Sequence, residues 1–253
     1  MVQRAPNKSV NIMNKKALIA LAIIILLGIS GIAVYAFLTS PTKGPTPVAT
    51  NNLPKGEKTP APAPEPTMPT VDAPSGTYRI IPESSKVSFS IHEVLRGEPK
   101  TVVGTSNYIS GFFEANPADL TEASISAIRI NARSFATDST QRDNTTRRVI
   151  LKTEDDANEF IVFTPNMMEG LPGSAEFGEE FNYRIFGDLL ISGTTKEVTF
   201  EGTGKFISDT EFSGTASTTV KRSDFNLVVP SFPFLADVGD DVGLQIDFVA
   251  QKQ

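Results

Sequence analysis

Between Phe181 and Phe206 apolar side chains recur at every second position on either side of a short polar turn, the period of a β-strand with one dry face. Phe181, Tyr183, Ile185, Leu189 and Ile191 share one parity, with Asn182, Arg184, Asp188 and Ser192 on the other; Phe186 and Leu190 are the exceptions. After Ser192-Gly193-Thr194-Thr195, which supplies hairpin turn chemistry, the dry parity resumes at Val198, Phe200 and Phe206. Gly187, Gly202 and Gly204 fall on that dry parity, where a packed core wants side chains, and Gly214 and Ala216 continue the pattern in the next strand. Two readings follow. Glycines make the kinks and bulges by which a sheet curls into a closed barrel, and they leave room inside it for a small ligand.

Eight strand-like runs are expected, at about 85–92, 101–113, 123–134, 159–168, 181–192, 196–206, 211–221 and 241–250, the number that suits a closed antiparallel barrel. The third changes parity between Ala123, Ile125 and Ala127 and Ile128, Ile130 and Ala132, which a bulge near Ala127 reconciles. Thr140–Asn158 has no alternation and is rich in charge, with Val149, Ile150 and Leu151 as its apolar patch; it reads as a helix over one barrel end, capped at Ser139 or Thr140.

Several stretches resemble the YceI-like polyisoprenoid-binding family, in order along the chain. Gly187-Asp188-Leu189-Leu190-Ile191-Ser192-Gly193-Thr194-Thr195-Lys196-Glu197-Val198 is similar to the family's central hairpin, and Ser85–His92 to its opening strand. Ser134-Phe135-Ala136-Thr137 followed by Arg142-Asp143, then Glu159–Phe163, Arg222-Ser223-Asp224-Phe225 and Val238–Val242, complete the series. Tyr78 stands where many members carry Trp, Asn226 replaces a glycine, and Asn144-Thr145 replaces a His-Leu pair. The resemblance covers about residues 76–251 and implies a lipocalin-like barrel that binds a polyprenol or quinone-type lipid without catalysis.

Ahead of this region the composition changes twice. Residues 17–38 are 22 uncharged, almost wholly apolar residues preceded by Arg4, Lys8, Lys15 and Lys16, which predicts a retained transmembrane helix with residues 1–16 in the cytoplasm and the remainder outside. A cleaved signal peptide ending near Val34-Tyr35-Ala36 is the alternative. Residues 39–75 hold 10 of the 18 prolines and predict an extended, disordered linker reaching on the order of 100 Å. Residues 1–72 carry 7 Lys and Arg against 3 Asp and Glu, so the domain at 76–253 holds the acidic excess and is a poor nucleic-acid partner. With no cysteine, disulfides and thiolate metal sites are excluded.

No catalytic or metal constellation stands out, and no cofactor is expected. The single histidine, His92, falls on the wet parity beside Glu93 and is expected to be solvated. Arg142-Asp143 and Arg222-Ser223-Asp224 place a cation beside a carboxylate, able to fix a loop or meet a ligand's polar head. An enzymatic use of Asp188 with Glu201 would need both inside a cavity, and both lie on wet parities. If the dry parities line a tube, its candidate ligand-binding walls are Phe89, Ile91, Ile128, Ile130, Phe163, Ile185, Leu189, Val198, Phe200, Phe212, Val220 and Ile246. Residues 225–235 are apolar but interrupted by Pro230 and Pro233, and read as a packed loop, a lid at the mouth, or a surface for lipid or a protein partner. The alternative to a lipid carrier is therefore a non-catalytic interaction module with a filled barrel; a homodimer is left open.

Overall fold

The computed structural model describes residues 64–74, 76–231 and 235–253. The segment 17–38, most of the linker and Phe232, Pro233 and Phe234 of the apolar loop lie outside the described residues. Among those that are described, no helix is long and apolar enough to cross a membrane.

The domain is one curled antiparallel sheet with a single short helix. Its strands are β1 (Tyr78–Ile80), β2 (Lys86–Leu95), β3 (Glu98–Ser106), β4 (Ile109–Ser110), β5 (Phe112–Asn116), β6 (Asp119–Ile125), β7 (Ile128–Asn131), β8 (Phe160–Glu169), β9 (Phe181–Ile191), β10 (Thr194–Phe206), β11 (Glu211–Lys221), β12 (Leu235–Ala236) and β13 (Asp241–Lys252). Hydrogen-bonded neighbours run β4-β7-β8-β9-β10-β11-β13-β1-β5-β6, with β2 joining β13 to β3. Gly111 alone separates β4 at one end of that order from β5 near the other, so the sheet curls back on its own chain.

The expected strands are present, with two broken. The run at 101–113 becomes β3, β4 and β5, and the run at 123–134 becomes β6 and β7, parted at Ser126-Ala127. There the Phe112 N–H donates to Ser126 Oγ at 2.8 Å, a side chain standing in for a ladder carbonyl, and the parity switches across the gap. The interruption lies where the parity change placed it, as a strand break rather than a bulge. Gly111 faces it: a β-carbon there would come within 2.3 Å of Ile128 Cδ1. β9 and β10 form a ladder as long as that of β11 and β13, joined by Ser192-Gly193, both at positive φ, the two-residue turn whose twist matches that of the strands.

The helix is shorter than the 140–158 expected. α1 spans Thr140–Thr145, with Ser139 Oγ accepting the Arg142 N–H at 3.4 Å, and widens into a turn in which the Leu151 N–H reaches back to Thr146 O at 2.8 Å. Thr145 Oγ1 bonds back to Gln141 O, and Lys152 at φ 53° ends the segment. Of the expected apolar patch only Leu151 is buried, and Val149 stands half exposed.

The glycines on the inner face are not gaps. A β-carbon at Gly187 would meet the Phe163 ring at 2.8 Å, at Gly202 the Tyr183 ring at 2.7 Å, at Gly204 Phe212 Cζ at 2.4 Å and at Gly104 Phe89 Cε1 at 2.2 Å. Each glycine is a recess filled by an aromatic ring from a neighbouring strand, so the emptiness expected from the glycines is largely taken up. At the β1 end Tyr78 stacks on Phe113 at 5.1 Å and, with Phe206 and Phe212, closes the interior; its hydroxyl donates to Asp209 O.

Residues 64–74 follow the outside of the sheet without regular structure. Val71 O accepts from Arg79 at 3.0 Å near one end of the sheet, and Thr67 O accepts from the fully buried Asn131 at 2.7 Å near the other. Glu159, which bonds Thr67 and Asn131, is held by Arg133 at 3.0 Å.

Gly202→Ala is expected to cost about 1–3 kcal/mol in urea unfolding, because besides the ring its β-carbon meets the backbone oxygen of Thr215 at 2.2 Å, which cannot step aside. Gly173→Ala, with nothing within 4 Å, is expected to be neutral.

Candidate functional site: a two-chambered apolar interior

The inward parity of the curled sheet encloses two cavities. The larger, about 240 Å³, lies at the end formed by the C-termini of β2, β7, β9 and β11 and capped by α1 and the start of the apolar loop. Phe89, Ile91, Leu95, Val102, Phe135, Ile161, Ile191, Val220 and Leu244 supply its walls, and Ile150, Leu227, Val229 and Val238, all only half buried, bring it to the surface. The smaller, inner chamber, about 100 Å³, lies toward the β5–β6 end, where the exposed Glu114 and Ser124 border it, and is almost wholly apolar, walled by Ile128, Phe163, Ile185, Phe200, Phe212, Ile246 and the closing aromatic cluster.

Of the residues predicted from the dry parities, Phe89, Ile91 and Val220 thus face the outer chamber, and Ile128, Phe163, Ile185, Phe200, Phe212 and Ile246 the inner one. Ile130, Leu189 and Val198 face neither; they are packed in the core between the two. The interior is two rooms with a partition rather than one tube.

The charged residues lining the outer chamber are Glu93, Arg142 and Arg222. Glu93 is only 7 % exposed, and its Oε1 accepts from Arg142 of α1 at 3.1 Å. The other arm of the same guanidinium pairs with Asp138, whose carboxyl is held below the usual range chiefly by the hydrogen bond from Lys100 at 2.6 Å. Asp143 does not pair with its neighbour Arg142: it turns inward and accepts from the N–H and hydroxyl of Thr137, at 2.8 and 2.6 Å, fixing the approach to α1. Arg222 likewise ignores Asp224 and donates to Gly239 O at 3.0 Å and Leu227 O at 3.1 Å, tying the two arms of the apolar loop together at the rim. Residues 225–229 accordingly mix two of the expected characters: Phe225 is buried and Leu227 and Val229 line the mouth, whereas Val228 is 71 % exposed.

Beside His92, Glu93 is the residue that enters the site. His92 is exposed, bonded through Nδ1 to Thr101 Oγ1 at 2.9 Å. The signal for Glu93 was its parity: it continues Phe89 and Ile91 on the dry face, where a carboxylate needs a partner. Asp188 and Glu201 are both exposed, and the register sets Asp188 opposite Glu197 and Glu201 opposite Arg184. Glu154, Asp155 and Asp156 are used locally, Asp155 capping a short turn and Asp156 pairing with Arg133 at 2.6 Å.

Deep in the interior the Tyr183 hydroxyl donates to Thr215 O at 2.8 Å, and burial pushes its ionisation far above the ordinary phenol range. The folded chain keeps this proton to higher pH than the unfolded chain, so the stability it contributes is complete below pH about 10 and shrinks above it. Denaturation midpoints measured across that range are expected to fall, and Tyr183→Phe to flatten part of the fall. Arg142→Ala, which leaves Glu93 buried without its partner, is expected to cost about 3 kcal/mol in urea unfolding, and adding Glu93→Gln to recover most of it.

The same fold is seen in known structures. Burkholderia cenocepacia BcnA matches with a TM-score of 0.54 at 18 % identity, over 68 % of this chain and 99 % of its own. A polyisoprenoid binding domain from Saccharophagus degradans, implicated in plant cell wall breakdown, matches with a TM-score of 0.54 at 12 % identity, over 71 % of this chain and 99 % of its own. No curated protein matches the sequence. The model of the YceI-like domain matches residues 78–250, the whole curled sheet from β1 nearly to the end of β13, and the chain belongs to the YceI-like family.

Proposed function

We propose that this protein is a membrane-anchored, extracytoplasmic carrier that holds an isoprenoid lipid, a long-chain polyprenol or quinone type, with its tail in the barrel interior and its polar head at the Arg142–Glu93 mouth. The observation that carries this reading is the pairing of an almost wholly apolar interior with the Arg142–Glu93 ion pair at the mouth of its larger chamber. Apolar walls recognise hydrocarbon without directional contacts, at about 0.8 kcal/mol per buried CH₂ before ordering costs. The mouth pair offers a head group both a donor fork and an acceptor. The family's binding fold and the polyisoprenoid-binding function in the name of the Saccharophagus domain support a lipid ligand. A role in binding rather than turnover fits the outward placement of Asp188, Glu201 and His92.

The anchor is the segment 17–38, read with its basic flank as described from the sequence.

A second reading draws on two observations: aromatic rings occupy the glycine recesses, and Val228 stands 71 % exposed. In it the interior is filled by the protein itself and the apolar loop binds a protein partner.

Native mass spectrometry of the full chain, released from mild detergent after expression in a lipid-containing host, separates the two. The carrier is expected to retain one long-chain lipid per chain; an empty protein that also refuses added polyprenols and quinones would establish the interaction module instead.

A further inference from the structure

We infer that the core layer between the two chambers is a length gate, which sets how much of a lipid tail the domain accepts without rearrangement; the inference rests on the lipid-carrier reading above. Along β9 the order is Ile191 in the outer chamber, Leu189 in neither, and Ile185 in the inner chamber. On β10 Val198 precedes Phe200 of the inner chamber, and on β7 Ile130 lies beyond Ile128 in the same sense. Leu189, 2 % exposed, is the most tightly enclosed of the layer and sits directly opposite Phe163 in the β8–β9 ladder.

The layer is clamped from both sides by aromatic pairs. Phe89 and Phe135 meet edge to face at 5.4 Å above it, and Phe163 and Phe200 at 4.9 Å below. Phe89 lies over Gly104 and Phe163 over Gly187, so the glycines hold the rings at this level.

Volume turns this into a statement about ligands. An apolar cavity of about 150 Å³ holds a benzene ring, so the outer chamber has room for about ten carbons, two isoprene units, and the inner for about four. A tail of two units with its head at Arg142 and Glu93 fills the outer chamber alone. Any longer tail must displace Leu189 and its neighbours, and the unpacking offsets what the next unit gains until enough carbon has passed into the inner chamber. The gate therefore divides ligands by tail length while leaving head-group recognition untouched.

The test is binding of prenols of ten, fifteen and twenty carbons to the full-length wild type and to Leu189→Ala/Val198→Ala, by titration calorimetry in mild detergent. The wild type is expected to bind the fifteen- and twenty-carbon prenols no more tightly than the ten-carbon one. The double variant is expected to bind the twenty-carbon prenol at least about tenfold more tightly than the wild type does, since each buried CH₂ contributes roughly fourfold, with its ten-carbon affinity within about threefold. Val198→Ala alone, at a half-buried position, is expected to move the same way by a smaller factor and serves if the double variant does not fold. Wild-type affinity that climbs steadily from ten to twenty carbons, or equal profiles for wild type and variants, would overturn the gate. Refusal of all three prenols by every protein would instead remove the lipid reading beneath it.

Discussion

Aromatic rings laid over glycines are the interaction on which this domain depends. A sheet that curls this tightly brings facing strands close at its inner surface, and side chains at every dry position would collide. Glycine at 104, 187, 202 and 204 removes the β-carbon where a ring from the adjacent strand lies, so the outer ring atoms of Phe89, Phe163, Tyr183 and Phe212 occupy the space a side chain there would need. The rings supply the apolar area that glycine cannot, and the recesses set their height in the interior. Gly111, facing Ile128, does the same at the corner where the curl returns on itself.

The division of the interior follows from that packing. Two ring pairs fixed at their recesses trap Leu189, Val198 and Ile130 between them, leaving space above and below. The upper space reaches the surface beside α1, and there the chain sets Glu93 on the dry face and brings Arg142 over to meet it. A lone buried carboxylate would be costly; the paired one is tolerated and leaves a polar feature where an amphiphile's head would rest. Asp143 and Arg222 serve the same mouth indirectly, the first by fixing the approach to α1 and the second by tying the apolar loop at the rim.

Much of this was legible in the residues. Strict alternation gave the strands, the Ser192-Gly193 hairpin and the glycine anomaly, and ordered local matches gave the family. Three features were not readable, each for a physical reason. Gly187 looked like empty space because a sequence does not show which neighbouring ring fills a recess: Phe163 comes from β8, where the direct partner of Gly187 is Pro165, whereas Tyr183 stands directly opposite Gly202 in the hairpin. The parity change near Ala127 marked the break in the third run but not its form, because hydropathy does not show that the Ser126 hydroxyl replaces a ladder carbonyl, and the breaks at 107–108 and Gly111 in the second run leave no parity change. The helix was drawn too long because charge density signals exposure rather than helicity, and Thr145, Thr146 and the positive φ of Lys152 are local events. At the site, parity shows which residues face inward, but the partition at Leu189 depends on how rings from β8 and β10 meet across the interior.

The central claim is an interior lipid site entered at the Arg142–Glu93 mouth. The measurement that tests it most directly is methyl NMR of the Ile-, Leu- and Val-labelled protein with a prenol carrying a nitroxide at its head. Paramagnetic broadening is expected to be strongest at Ile91, Ile150 and Leu227 around the mouth and negligible at Ile207, by the β10–β11 turn at the opposite end. Broadening centred on Ile207, or on Val103 of the outer sheet face, would place the lipid outside this interior and contradict the account.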